Sequence, residues 1–239
     1  MSESAYSLRR LPVELDATQA LFLDGIRHAS ELGGMAYDRL MASLEAIARR
    51  HHEGNRVEDV TEPFLYAWAF VDAVDRLRQL VKMAPGFTTV PRSDGEPGFF
   101  ALTEDIRSVR NVSDHLGQRA DYVVASNGAA LGVLQWVTPL SRDSVLSCSI
   151  RPGRLNSATL PLVTPPEREL EIADCIAMRA GEHLADLSRA RTEAERVTRN
   201  IEEAFISWIG NTKMHLTPAP GDIVVVAELR STQSDASSV

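Results

Sequence analysis

The chain predicts a mainly helical α+β fold, a helical bundle with a small antiparallel β meander inserted before a long C-terminal helix. Three observations lead there. Helical apolar spacing dominates the first half, short alternating runs follow Asn127, and a helical seam returns after Leu170. The 239 residues can bury a sizeable core as one domain, set at residues 1–230, with 231–239 as a disordered tail.

Each element has its own signal. Between Asp16 and His52, apolar positions Leu21, Ile26, Ala29, Ala36, Leu40, Leu44 and Ile47 recur near helical spacing, and Gly33–Gly34 is a point where two helices could meet. "HHEGNR" reads as a loop. Thr61 is the expected N-cap, with Pro63 in the first turn, of a helix running to about Met83. Ala84 to Gly98 carries three prolines and three glycines, which is loop chemistry. The next helix begins near Thr103, its inner face marked by Ile106, Val109, Leu116, Ala120 and Val123. The meander, at about 131–164, is drawn from "LGVLQWVT", "SVLSCSIR" and "ATLPLVT". "TPPE" places Thr164 and Glu167 as a capping box with Pro165 at the first helical position. From there a seam of Ala173, Ala177, Ala180, Leu184, Leu187, Ala194, Ile201, Phe205 and Trp208 predicts helix to about residue 209, unbroken or restarted at "TEAE", Thr192 to Glu195. "DIVVVAELR" reads as a last strand.

Composition narrows the function classes. The longest apolar run, Phe64 to Val71, falls far short of the roughly 20 residues that span a bilayer, and no signal-peptide-like segment is visible, so a cytoplasmic protein without membrane contact is expected. Cys148 and Cys175 are too few for a disulfide framework or a cysteine-rich zinc site, and both are expected reduced and buried. A net charge of −8 argues against a broad nonspecific nucleic-acid binder, though not against a local basic cleft. Lys82 and Lys213 are the only lysines among 25 basic residues, and so much arginine reflects either phosphate forks or plain compositional bias.

The richest stretch is "EDIRSVRNVSDHLGQR", Glu104 to Arg119. On one continuous helix Arg107, Asn111 and His115 form a single stripe, letting Asn111 orient the His115 ring, while Arg110 lies about 140° from His115 at 100° per residue. A two-fold dimer pairing this helix with its mate would bring two Arg and two His groups to one cleft. Histidine there can move protons and arginine can hold a phosphate. The plainer possibility is a solvated face, with Arg110 paired to Asp114, four residues on, and Asp72–Arg76 and Asp75–Arg78 as ordinary helix pairs. Arg76, Arg78 and Lys82 could widen a basic cleft.

"RNVSDH", Arg110 to His115, resembles the motif of the HEPN superfamily, an Arg followed after four to six residues by His, often with a polar residue directly after the Arg. The likeness covers roughly Thr61 to Asn127. It implies a helical bundle that dimerises across the motif and a metal-independent endoribonuclease of toxin or phage-defence type. Arg110, His115 and Asn111 would then be catalytic, and Arg107 and Arg119 substrate-binding, with no metal or cofactor. Partners would be a second copy, single-stranded RNA and a cognate protein. Because both side chains lie on a polar face, His115→Ala and Arg110→Ala are expected to leave the fold intact.

The competing expectation is a non-catalytic helical dimerisation or scaffold module that binds a protein partner. Elsewhere the signals are thin. His51 and His52 lack a second ligand cluster, "GEH" at His183 lacks zinc-hydrolase spacing, and no phosphate-binding glycine loop, Rossmann fingerprint or serine elbow occurs. Glu202 and Glu203 have no partner visible in sequence.

Overall fold

The computed structural model of the chain describes residues 7–55, 59–84, 98–118, 120–125, 129–141, 144–153, 175–212, 216–218 and 222–226. Two long helices, α1 (Ala17–His52) and α2 (Thr61–Met83), pack along one another and carry the core. Asp16 caps α1 by accepting from the Thr18 and Gln19 amides. At α2 the helix starts one residue earlier than a Thr61 cap would place it: Thr61 is already helical, and the Asp59 carboxylate accepts its amide at 2.8 Å. That hydrogen bond holds the Asp59 carboxyl below its ordinary pKa.

Gly33 and Gly34 do not divide α1. Both are buried, and they let neighbours come close. A Cβ on Gly33 would sit 3.6 Å from that of Ala73 on α2, and one on Gly34 would lie 2.5 Å from the Arg191 guanidinium. Helix α3 (Phe99–Leu102) and helix α4 (Glu104–Asp114) follow, then a 3-10 turn at Leu116–Gln118 and the short α5 (Ala120–Ala125).

The sheet is antiparallel, with strands β1 (Val133–Ser141), β2 (Ser144–Ile150), β3 (Cys175–Ala180) and β4 (His183–Asp186) in the order β2-β1-β3-β4. The first two strands fall where the meander was expected, while "ATLPLVT", Thr164, Pro165 and Glu167 lie outside the described residues. The other two correct the sequence reading, for Ala177, Ala180 and Leu184 belong to a β hairpin and not to a helix. Ile176, Ala177, Met178 and Ala180 are all buried, so the run is apolar on both faces and its periodicity does not separate strand from helix. The turn decides it: Ala180 pairs with His183, and Gly181 takes φ +56 between them, a backbone state that favours glycine. Tyr122 also packs close enough that a Cβ there would meet its ring at 2.6 Å.

Helix α6 (Leu187–Asn211) therefore begins about twenty residues later than the capping box predicts. Asp186 is its cap, accepting from the Arg189 amide, and the helix passes through Thr192 without a restart. The later seam holds: Leu187, Ala194, Ile201 and Phe205 are buried, whereas Trp208 is partly exposed. Ser188 knits three elements together by accepting from the Tyr37 hydroxyl of α1 and the Ile176 amide of β3. Glu202 finds its partner in the N-terminal arm, the Leu8 amide.

After α6, residues 216–218 run beside that arm, with Val13 donating to the Thr217 carbonyl and Pro12 bridging to Pro218. Asp222 is gripped by Arg27, but Ile223 to Val226 join no strand among the described residues and are 78–88% exposed. Ala227 to Arg230 and the tail at 231–239 lie outside the description. No described helix is long and apolar enough to cross a membrane.

Two tests follow from this packing. Gly33→Ala should raise stability by about 0.5–1 kcal/mol, because alanine is the better helix former and its methyl meets only ordinary contacts. Gly34→Ala should gain nothing, since the methyl must evict the Arg191 guanidinium. Urea midpoints of the two variants should thus move apart, and equal shifts would refute the packing role of Gly34.

The Arg27 hydrogen bond holds the Asp222 carboxyl below its usual 3.8. A depressed carboxylate stabilises docking at pH above its unfolded value and loses that contribution as pH falls through the lower folded-state value. An NMR titration of Asp222 should accordingly show a midpoint under 3.8. A midpoint at or above it would mean the segment is not held.

Candidate functional site

Helix α4 buries Ile106, Val109 and Val112 against α2 and the β3–β4 hairpin, leaving Arg107 and Asn111 on its exposed face. It is shorter than its apolar spacing suggests. The helix stops at Asp114, and His115 is its C-cap, with φ −111 and ψ 20. The chain then tightens into the 3-10 turn, in which the Gln118 amide donates to the His115 carbonyl. Leu116 and Val123 still pack inward, but they do so by way of that turn and α5 instead of one continuous helix.

The stripe from Arg107 through Asn111 to His115 is therefore interrupted at its last member. Arg107, Arg110 and Asn111 line a cleft of about 580 Å³ between α2 and α4, together with Arg78, Gln79 and Lys82 of α2. His115 is exposed and is not among the residues lining that cleft. Arg119 lies outside the described residues.

The electrostatics inside the cleft are largely settled within the chain. Arg110 donates from Nε to Asp72 at 2.8 Å and from Nη1 to Asp75 at 2.7 Å, with Asp114 at 3.9 Å. The Asp72 hydrogen bond, with help from the neighbouring carboxylates, raises the Arg110 pKa despite partial burial. The Asp114 pair was legible four residues along the helix. Asp72 and Asp75 were not, because they lie on another helix and were read as local pairs with Arg76 and Arg78. Those two local pairs do not form among the described residues.

Arg78 is not a surface group either. It is buried and donates to the Phe100 carbonyl at 2.7 Å, to the Thr103 hydroxyl and to the Glu104 carboxylate, with its guanidinium over the Phe100 ring. Arg107 is exposed and 3.8 Å from Glu104, and Lys82 makes no ion pair among the described residues. A small anion could meet these two cations without disturbing the others.

Two further clusters bear on metal and thiol chemistry. Ligand atoms of Asp24, His28 and Asp222 lie within 4.8 Å of one another. The buried Arg27 already donates to both Asp24 and Asp222, so this acidic group holds a guanidinium. Cys148 and Cys175 are free thiols, half-buried where full burial was expected. Burial pushes both upward in pKa, which suppresses thiolate chemistry at neutral pH.

Comparisons with protein-family models, curated proteins and solved structures gave no match to this chain.

The geometry predicts an asymmetric response to mutation. Arg110→Ala would leave the buried Asp75 carboxylate with only the Gln79 amide, so it should cost about 1–3 kcal/mol, against the expectation that the fold is indifferent. Asp75→Asn in the same chain should recover part of that loss. The exposed His115→Ala should stay within about 0.5 kcal/mol. A double-mutant cycle in urea with no coupling between Arg110 and Asp75 would remove the clamp.

Proposed function

We propose that the chain is a non-catalytic helical module that works by binding a protein partner, a second copy first of all, and that Arg110 clamps α4 to α2 instead of holding a phosphate. One observation carries this reading, the commitment of Arg110 to Asp72 and Asp75. A phosphate on that guanidinium would have to displace a carboxylate, and displacing Asp75 would strand a buried charge. Supporting it, Ile223 to Val226 form a run of four apolar residues that are 78–88% exposed, the kind of sequence that adds as a strand to a partner's sheet edge.

A second reading keeps the HEPN-like chemistry, a metal-independent endoribonuclease acting as a homodimer. What favours it is the gathering of Arg78, Lys82, Arg107, Arg110 and Asn111 in one cleft. In that reading Arg110 gives up Asp72 for the scissile phosphate, His115 takes the proton of the ribose 2′-hydroxyl, and the 2′-oxygen bonds to phosphorus as the P–O5′ bond breaks, leaving a 2′,3′-cyclic phosphate and a 5′-oxygen that takes up a proton as a 5′-hydroxyl.

One experiment separates the two. Single-stranded RNA incubated with the purified chain and a chelator should remain intact. Cleavage to 2′,3′-cyclic phosphate ends, lost by about 10²- to 10⁴-fold in His115→Ala and absent on DNA, would overturn the non-catalytic reading. Sedimentation at micromolar concentration should show at least a dimer, and Val224→Asp with Val226→Asp should weaken it.

A further inference from the structure

A second cavity, of about 520 Å³, lies between the C-terminal end of α1 and the outer strand β2. Ile47, Val60, Leu146 and Ile150 supply apolar wall, with Trp136 and Cys148 beside them. In the register of the sheet Trp136 stands opposite Cys148, and Leu146 and Ile150 lie two residues to either side of that cysteine on the same face. The size falls within the roughly 300–1,000 Å³ of small-molecule sites. Trp136 Nε1 and Ser149 Oγ have no hydrogen-bond partner, but both atoms are shut off from solvent, so neither is offered to a ligand.

The charged part of the lining has one sign. His51, His52 and Arg151 line the cavity and, among the described residues, no carboxylate does, in a chain with 33 acidic residues. His51 and His52 are exposed, so they stand at the mouth; they are helical and close α1, where the sequence suggested a loop. Arg49 and Arg50, in the same last turn, are exposed and make no ion pair among the described residues. Acids close in sequence are turned elsewhere: Asp59 accepts from the Thr61 amide, and Glu45 and Glu53 line a separate cavity. The carbonyls that would make this helix end negative are answered within the chain, since the Glu53, Asn55 and Gly54 amides donate to those of Arg49, Arg50 and His51. An apolar pocket rimmed by positive charge suits an anion with an aliphatic body.

We infer that this cavity binds an aliphatic carboxylate of medium chain length, its chain lying along Ile47, Val60, Leu146 and Ile150 and its charged end meeting Arg151 and the two histidines. The head stays at the mouth, because a carboxylate drawn down among the apolar residues would lose its hydration without a matching gain. There a guanidinium can offer it two parallel N–H donors. This inference is independent of which reading of the α2–α4 cleft holds.

The two cysteines provide the test within the intact chain, since Cys148 lines the cavity and Cys175, opposite Val137 on β3, does not. Maleimide alkylation of each is followed by peptide mass spectrometry during titration with decanoate, 1-decanol or butanoate, all below micelle-forming concentrations. Saturating decanoate should slow alkylation of Cys148 about tenfold by closing access to the thiol, and leave Cys175 unchanged. Decanol, which keeps the chain without the charge, should bind about tenfold more weakly, and butanoate, which keeps the charge without the chain, should not protect. Replacing the basic groups together, His51→Gln, His52→Gln and Arg151→Gln, should weaken decanoate about tenfold and leave decanol as it was, which also shows the cavity intact. Leu146→Trp, filling the cavity from a partly buried wall position, should abolish protection by both ten-carbon probes. Protection by decanoate that is absent, shared equally by Cys175, matched by decanol, or lost in the glutamine variant to the same extent for both probes would overturn the inference.

Discussion

A buried guanidinium organises the middle of this molecule. Arg78 sits on α2 with its charge out of water, and a buried charge is tolerable only when paired and hydrogen-bonded. Its partners all come from the segment that follows residues 85–97 in sequence: the Phe100 carbonyl, Thr103 and Glu104. Satisfying Arg78 thus fixes α3 and the start of α4 against α2. Thr103 is held in turn through its own bond to the Phe99 carbonyl. Once α4 is pinned at its first turn, Ile106, Val109 and Val112 must face the sheet and α2, and Arg110 is carried to Asp72 and Asp75. The cleft between the two helices is the space left between these two clamps.

What could be read from the sequence divides along physical lines. The ends of α2, the run of α1 and the β1–β2 hairpin were legible because apolar periodicity and turn residues act locally. The β3–β4 hairpin was hidden, since small and apolar residues at 177, 180, 184 and 187 satisfy helical spacing as well as burial on both faces of a strand. Only Gly181, with its positive φ, signals the turn, and a lone glycine followed by Glu182 is a weak hairpin mark. Gly33 and Gly34 misled in the opposite sense, because glycine inside a helix can mean close packing as well as a break.

The candidate site was half legible for the same reason. Arg107, Arg110 and Asn111 are brought together, as helical spacing required. His115 is not with them, because spacing arguments hold only while the helix lasts and α4 ends one residue too soon. A motif of the form Arg-x4-His says nothing about where its helix stops. The carboxylates that occupy Arg110 lie 38 and 35 residues away along the chain and come from another helix, so no local pattern announces them.

Four arginines tie distant elements together in the same non-local way. Arg27 joins α1 to Asp222, Arg78 joins α2 to α4, Arg110 closes the other side of that junction, and Arg191 of α6 reaches Asp38 of α1 beside the Tyr37 ring. Each is a non-local link, and each uses the planar fork that lysine lacks, which lets one side chain meet two or three acceptors at once. A chain that is acidic overall can therefore be rich in arginine without being a phosphate binder: the carboxylates outnumber the guanidinia and have already claimed those at the helix junctions. The cations left to meet an outside ligand in the α2–α4 cleft are Lys82 and Arg107, two exposed charges whose attraction is screened within about 10 Å at ordinary salt. Any anion held there is bound weakly, unless it brings enough interaction of its own to open the Asp72–Arg110 pair.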